Sequence, residues 1–406
     1  MADEKFIMQI FYNYLNEHII RGELKMSDQR LNSYIINAYK TFKPLYDLYN
    51  DNNIDIDNGK FNFAELPFMT KERLSGYSVR DKFAVPFKNI SRIFTTSGTT
   101  DKPQFIAFTK NDWETAIDIL CNSFKISGVT SNDIFYDLIP KNTTYAGNIS
   151  VRAAERLGAM VIPAGKMETE QHIRVIQEVV PTVLNGLAFF MIKIAAQLPV
   201  NVRECVKIIF AVGEYLYDET RNALKELYPN AVVCSGYGIS EVFLSNECRM
   251  NNGVHYDSEK VMVEVINKND QGIGELVFTS LYSEAMPLVR YRSGDVGILL
   301  SGKCPCGCSM PRLKVLGRLD SMFNIKGKLF SVDLLKKTVY SEQGMIFCYC
   351  IYYPNDSARF EIIYSGEINE EHLKHTIKQK FDITPELINN NNINEQWKHR
   401  FISERV

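Results

Sequence analysis

Nine segments follow one another in order: DIFYDLIP at 133–140, VRAAERLGA at 151–159, MVIPAG at 160–165, ETEQHIRVIQEVV at 168–180, PTVLN at 181–185, LAFFMIKIAAQL at 187–198, VKIIFAVGE at 206–214, DETRNALKELY at 218–228 and AVVCSGYG at 231–238. Short β-branched or aromatic runs alternate with amphipathic ones. Such a succession of strand, helix and strand predicts right-handed crossovers and a parallel sheet with helices on its faces. Ligands in sheets of this kind sit outside the carboxyl ends of the strands. The longest apolar stretch, Val179 to Val200, is broken by Pro181, Asn185, Lys193 and Gln197. A mid-span lysine is costly in a bilayer, so this stretch reads as a buried strand followed by a helix.

Outward from this centre the pattern changes twice. Residues 1 to about 90 read as mainly helical, with aromatic and Leu/Ile positions three or four apart in FIMQIFYNYL and RLNSYIINAYKTF. After about residue 255, KVMVEVIN, ELVFTSL and PLVRYRSGDVGILL read as antiparallel strands. A smaller module follows Gly317, with MIFCYCIYY, ARFEIIYSG and EEHLKHTIKQKF as its strands and helix. The expected fold class is therefore α/β. A large domain over 1–318 combines a mostly parallel sheet with an antiparallel β subdomain, and a small α+β domain covers 319–406. At 406 residues, more than one core is expected.

A net charge of −2 leaves no basic excess for a nucleic-acid backbone. The first residues, MADEKFIMQI, carry Asp3 and Glu4 where a signal peptide would be cationic, so export and membrane insertion are not expected. Nine cysteines without a sign of secretion point to reduced thiols or metal ligands, and to the cytoplasm.

TTSGTTDKPQ at 95–104 gathers hydroxyls and a glycine in one loop. Backbone N–H and side-chain O–H groups can converge there on anionic oxygens, and Lys102 adds a mobile charge. The spacing differs from GxxxxGK[ST], which sets aside the nucleotide fold built on that loop. SGYGISE at 235–241 places Tyr237 to stack on a flat base and Glu241 to hold a cation. YRSGDVG at 291–297 supplies Asp295, a carboxylate suited to vicinal ribose hydroxyls. GRLDSMFNIKG at 317–327 offers Arg318 for a phosphate or ribose oxygen and Asp320 at the domain junction.

These four segments, in this order, resemble the adenylate-forming superfamily of acyl-CoA synthetases, peptide-synthetase adenylation domains and luciferases. The resemblance runs from about residue 60 to the end. AAERLGAMVIPAG, EAMPLVRYRSGD and CPCGCSMPRLKVLGRLDSM are similar to the branch containing phenylacetate–CoA ligase and the synthetases that adenylylate a deazaflavin cofactor. The resemblance implies that a carboxylate attacks the α-phosphorus of ATP, giving an acyl-adenylate and pyrophosphate, and that a thiol of coenzyme A or a carrier protein then takes the acyl group. Thr96, Ser97, Gly98, Thr99, Thr100 and Lys102 would hold the triphosphate. Gly213 and Glu214 would flank the adenine, with Tyr237, Gly238 and Ser240 beside them. Glu241 would bind magnesium, Asp295 and Arg318 would hold the ribose, and Asp320 would be the hinge of a mobile small domain.

Asp101 stands where the family has a glycine, and Ser321 where it has a second aspartate. PKNTTYAGN replaces a glycine-rich, aromatic acyl pocket, which implies a more polar acid. In the tail, NEQWKHRFISERV, a gapless match puts Trp397 where the family's catalytic lysine belongs, and a one-residue slip brings Lys398 there. Amide formation or adenylyl transfer is an alternative outcome on the same fold, and a silent nucleotide-binding protein another. The expected partners are a small carboxylic acid and coenzyme A or a carrier protein, with a homodimer as the candidate assembly.

Cys304, Cys306 and Cys308 lie in one Gly/Pro-bounded knuckle, and Cys248 and His255 form a C-x6-H pair. Thiolates and a neutral imidazole are the ligands zinc prefers in closed, structural sites. A comparable set in the deazaflavin-synthetase branch implies that Cys248, His255, Cys304 and Cys306 bind zinc and that Cys308 is spare. Cys348 and Cys350 read as packing residues. His172, His372 and His375 read as exposed on helix faces, and no spacing supports covalent catalysis.

Overall fold

The structure, a computed structural model, describes residues 20–21, 28–59, 61–95, 104–141, 145–213, 215–319, 322–325, 328–342, 345–353, 359–390 and 402–404. The chain divides into two compact units, Met1–Leu316 and Gly317–Val406.

Near the start, a two-residue strand β1 (Ile20–Arg21) stands in a stretch expected to be helical, because it pairs antiparallel with a strand far along the chain, Ile20 opposite Val265. The helices Asp28–Thr41 and Lys43–Asp51 follow as expected, split at Phe42 with a proline in the first turn of the second. FIMQIFYNYL lies outside the described residues. A hairpin, β2 (Arg92–Thr95) with β3 (Phe105–Phe108), flanks the threonine-rich loop.

The central sheet has the order β5-β4-β6-β7-β8-β9. Its strands are β4 (Ile134–Asp137), β5 (Met160–Ile162), β6 (Val183–Gly186), β7 (Ile208–Ala211), β8 (Val232–Ile239) and β9 (Phe243–Asn246). All pairs are parallel except β8 with β9. Alternate residues feed two cores. Phe135, Val183 and Phe210 face Phe124 and Ile149 on one side, while Tyr136, Leu184, Ile209 and Val233 face Met191 and Leu224 on the other. A sheet covered on both faces needs strands apolar throughout, which is why they read as continuous runs. Phe124, Phe135 and Phe210 meet at centroid distances of 4.7–6.3 Å. Each ring contributes about 1.5–3 kcal/mol by leaving water.

His172 departs from expectation. It lies on the inner face of the helix Thr169–Val179, 1% exposed, with its Nδ1 3.0 Å from the Tyr136 hydroxyl. Ile173 and Ile176 of that helix turn the same side to the sheet, and burial pulls the imidazole pKa down.

A second sheet, β1-β11-β12-β13-β14-β10, carries β10 (Val254–His255), β11 (Val261–Ile266), β12 (Gly274–Ser280), β13 (Tyr291–Leu300) and β14 (Arg312–Arg318). Leu31, Ile35, Phe42, Leu45 and Tyr49 of the first helices pack on Val261, Val263 and Phe278 of this sheet. Arg290, 1% exposed, pairs with Glu264 at 3.1 Å, donates to the carbonyls of Ala64 and Leu66, and lies over the Phe68 ring. Removing one partner would leave a buried charge uncompensated, so Arg290 fixes the start of β13.

In the second unit β15 (Met322–Ile325) pairs with β16 (Lys328–Ser331). A separate sheet, β19-β18-β17-β20, comprises β17 (Met345–Tyr353), β18 (Arg359–Gly366), β19 (Glu386–Asn389) and β20 (Ile402–Glu404). Cys348 and Cys350, two apart on β17, share one face and are both buried against Phe360, Leu373 and Ile377. His372, on the helix Glu370–Phe381, reaches Glu342 at 2.7 Å. Among the described residues no helix is long and apolar enough to cross a membrane.

Candidate functional site

The first half of GYGISE forms the end of a strand, as the run at 231–238 predicts. β8 runs through Ile239 because β9 folds back on it, pairing Gly236 with Asn246, Tyr237 with Ser245 and Gly238 with Leu244. The close pass explains Gly236. A Cβ there would come within 2.3 Å of Val212 Cγ1 and 2.7 Å of Asn246 Oδ1. The hairpin is anchored from below by the Arg221–Glu247 pair at 2.9 Å, and Glu247 also accepts from the Ser235 N–H.

Two strands, β8 and β13, therefore bring their candidate side chains together. The Tyr237 hydroxyl donates to Asp295 Oδ2 at 2.7 Å, although the two residues are far apart in sequence. Asp295 is 5% exposed and lies on β13 just after Gly294, whose φ is +72°. Ser293 Oγ accepts from the Asp295 N–H, and Glu275 accepts from Arg292 and from the Gly294 N–H, so the turn of YRSGD is held at three points. Glu241 accepts from the Tyr291 hydroxyl at 3.1 Å. Ser240, Glu241, Tyr145, Tyr282 and Met286 line one cavity. The Tyr145 and Tyr282 hydroxyls donate to the carbonyls of Ile239 and Val242, on either side of the Ser240–Glu241 step. A half-buried carboxylate, Glu241, is thus held by one tyrosine of β13, while Asp295 of the same strand is held by Tyr237.

Gly213, just beyond β7, has φ +86°, and a Cβ would meet Leu187 at 2.9 Å. Gly238 is exposed on β8, and Arg318 is exposed at the end of β14 in the second unit. Thr96, Ser97, Gly98, Thr99, Thr100, Lys102, Glu214, Asp320 and Lys398 lie outside the described residues.

The cysteine–histidine set converges. Cys248, which follows β9, His255 on β10, and Cys304 and Cys306 between β13 and β14 place one ligand atom each within 4.8 Å of one another. Cys248 and Cys304 sulfurs are 3.7 Å apart, and Cys306 sulfur is 3.5 Å from His255 Nε2. A tetrahedron with metal–sulfur bonds of about 2.3 Å and metal–nitrogen bonds of about 2.0 Å has edges of about 3.8 and 3.5 Å, so the donor set fits a four-coordinate ion. Cys308 gives only its backbone N–H, to Cys306 sulfur at 3.4 Å. Burial lowers the His255 pKa, which favours the neutral ring that metals bind.

Tyr145 in PKNTTYAGN, Tyr291 in YRSGDVG, Tyr282 and Asp137 are not among the residues the sequence singles out. Asp137 ends β4, is fully buried, and accepts from Asn185 Nδ2 at 2.8 Å. Lys141 Nζ is 3.9 Å from its other oxygen. A carboxylate closing an apolar strand was the available signal. Burial pushes the Asp137 pKa up to about 7, opposed by the Lys141 charge. A carboxyl whose folded pKa is raised binds its proton more tightly in the native state, so it adds stability at acid pH that is lost as pH rises from about 4 through 7. The Asp137→Asn variant should escape this loss. Relative to the variant, the wild type is expected to lose on the order of 4 kcal/mol between pH 4 and pH 8, as read from denaturant midpoints.

No protein-family model matches the chain. It is 25% identical over 412 residues, 96% of the chain and 90% of the relative, to phenylacetate-coenzyme A ligase from Thermus thermophilus. It is 30% identical over 282 residues, 65% of the chain and 63% of the relative, to phenylacetate-coenzyme A ligase from Pseudomonas putida. Among solved structures it superimposes on 2-hydroxyisobutyryl-CoA ligase in the postadenylation state, in complex with 2-HIB-AMP, with a TM-score of 0.77. That likeness carries 18% identity and covers 93% of this chain and 88% of the other.

Proposed function

We propose that this chain, a member of the phenylacetate–CoA ligase-like branch of the adenylate-forming superfamily, activates a carboxylic acid with ATP and passes the acyl group to coenzyme A. In the first half-reaction a carboxylate oxygen forms a bond to the α-phosphorus and the bond to the pyrophosphate oxygen breaks. In the second, the thiol sulfur bonds to the acyl carbon, AMP leaves with the oxygen that joined it to the acid, and the thiol proton passes to solvent.

The observation that carries this reading is the double link between the end of β8 and β13, Tyr237 with Asp295 and Glu241 with Tyr291. In this reading Asp295 exchanges its Tyr237 partner for ribose hydroxyls, Tyr237 supports the adenine, and Gly213 leaves room for the nucleotide. Glu241 would hold a magnesium ion, which supplies charge neutralisation to the triphosphate. Positioning and fixed charge carry the barrier, because the protein enters no covalent bond. Cys248, His255, Cys304 and Cys306 would hold a structural zinc ion. Acid-dependent formation of AMP and an acyl-CoA, seen together by chromatography, tests the assignment. ADP in place of AMP would refute it.

The tail lysine belongs to the same reading. The small unit is proposed to move about Asp320 and to offer Lys398 to the forming adenylate. A flexible ammonium suits charge developing on a leaving phosphate. Lys398→Ala is expected to slow adenylate formation by about 10²-fold, the size of one lost charge contact. It should leave thioester formation from supplied acyl-adenylate within about twofold, since the unit would face the site differently in each step. Equal losses in the two half-reactions would count against it.

A further inference from the structure

Asp137 and Lys141 form a buried polar pair that the chemistry above does not use. Asp137 is 0% exposed, and its Oδ1 is engaged by Asn185. Its Oδ2 and Lys141 Nζ are both shielded from solvent, and neither has a hydrogen-bond partner among the described residues. At 3.9 Å they are too far apart to bond each other directly. Without partners, a buried carboxylate and amine are a costly arrangement.

The pair lies at the carboxyl ends of the parallel strands, the edge of such sheets at which ligands bind. Asp137 closes β4, and a Cβ at Gly165, beyond β5, would find room, whereas Leu138 fills the place of a side chain at Gly186 and Leu187 that at Gly213. Lys141 Nζ lies 3.8 Å from where a Gly165 Cβ would be. In the sheet order, β4 is three strands from β8, on which Tyr237 lies. At about 4.8 Å per strand this is roughly 14 Å, a distance that suits the acyl end of an acyl-adenylate whose base lies near Tyr237.

We infer that Asp137 and Lys141 select a carboxylic acid bearing a hydroxyl group, whose oxygen donates to Asp137 Oδ2 and accepts from Lys141 Nζ. The inference rests on the ligase reading and deepens it. An oxygen about 2.8 Å from both atoms fits a 3.9 Å gap with an angle near 90° at the oxygen. A hydroxyl is the smallest group that donates and accepts at one atom. An alkyl or unsubstituted aryl acid would leave both atoms unpaired, and sites of this kind reject such analogues strongly. Burial raises the Asp137 pKa and lowers that of Lys141, as expected of a pair that waits for a partner.

The test is acid-dependent ATP–pyrophosphate exchange by the full chain with propanoate, butanoate and phenylacetate, each against its singly hydroxylated positional isomers. At least one hydroxylated acid is expected to exceed its parent by about 10²-fold or more in kcat/KM. In the Asp137→Leu/Lys141→Met variant that ratio should fall below about tenfold, chiefly through gain on the parent acid. Parent and hydroxylated acids exchanging within about threefold, or a ratio unchanged in the double variant, would overturn the inference while leaving the ligase reading intact. If the double variant does not fold, Lys141→Met alone, at a side chain 26% exposed, must lower the ratio, and an unchanged ratio is again a refutation. Exchange with no acid would overturn the ligase reading and this inference together.

Discussion

Glu241→Ala is expected to lower acid-dependent adenylate formation by about 10²–10³-fold, with the thermal unfolding midpoint unchanged. The size follows from the loss of one preorganised charge contact, worth about 3–4 kcal/mol in the transition state. The separation of activity from stability follows from the surroundings of the side chain. Glu241 is half-buried at the cavity wall, while the segment that carries it is held by backbone carbonyls, Ile239 to Tyr145 and Val242 to Tyr282. Removing the carboxylate leaves those bonds in place. Tyr291→Phe gives a graded control. It deletes the hydroxyl that orients Glu241 but keeps the charge, so about a tenfold loss is expected, close to the value of one hydrogen bond. Both variants are read by pyrophosphate exchange alongside calorimetry. Near wild-type exchange in Glu241→Ala would remove Glu241 from the chemistry.

Cys304→Ser should act in the opposite sense, costing stability rather than turnover. Elemental analysis of protein purified without chelator is expected to give one zinc per chain. The variant should lose several kcal/mol of stability, roughly 10 °C in the unfolding midpoint for a unit of this size, while ATP affinity stays within about twofold. The ligands come from three places along the chain: Cys248 after β9, His255 on β10, and the 304–306 knuckle between β13 and β14. An ion there ties the hairpin bearing Tyr237 to the antiparallel sheet at a point that the unfolded chain cannot reproduce. Chelator treatment of the wild type should reproduce the midpoint shift. Absence of zinc, or a variant as stable as wild type, would contradict the assignment.

What could be read in the sequence was whatever local pattern encodes. The parallel strands were legible because burial on both faces leaves no polar alternation, so runs such as VKIIFAVGE could hardly be anything else. The cysteine–histidine cluster was legible because Cys304 and Cys306 lie two apart and Cys248 stands at a short spacing from His255. Tertiary pairing was not legible. The strand through GYGISE depends on β9 folding back, and β1 on a partner more than two hundred residues away, Ile20 with Val265. His172 looked like one polar residue on an amphipathic helix, yet the sheet presents Tyr136 to it. Asp137 and Lys141, four apart in an irregular stretch, carry meaning only because Asn185 of a neighbouring strand and Gly165 close around them. The candidate residues were thus easier to read than the side chains that hold them. Tyr145, Tyr282 and Tyr291 show this, since each acts through a single hydroxyl on a backbone carbonyl or a carboxylate.

Attack of a carboxylate oxygen on the α-phosphorus of ATP leaves a mark in the products, because that oxygen stays with the phosphorus. The acids that support pyrophosphate exchange are prepared with both carboxyl oxygens labelled with the heavy isotope and turned over with ATP and coenzyme A, and the products are weighed by mass spectrometry. One labelled oxygen in each AMP, with none in pyrophosphate, is the predicted result. Label recovered in orthophosphate beside ADP, or AMP formed without label, would contradict it.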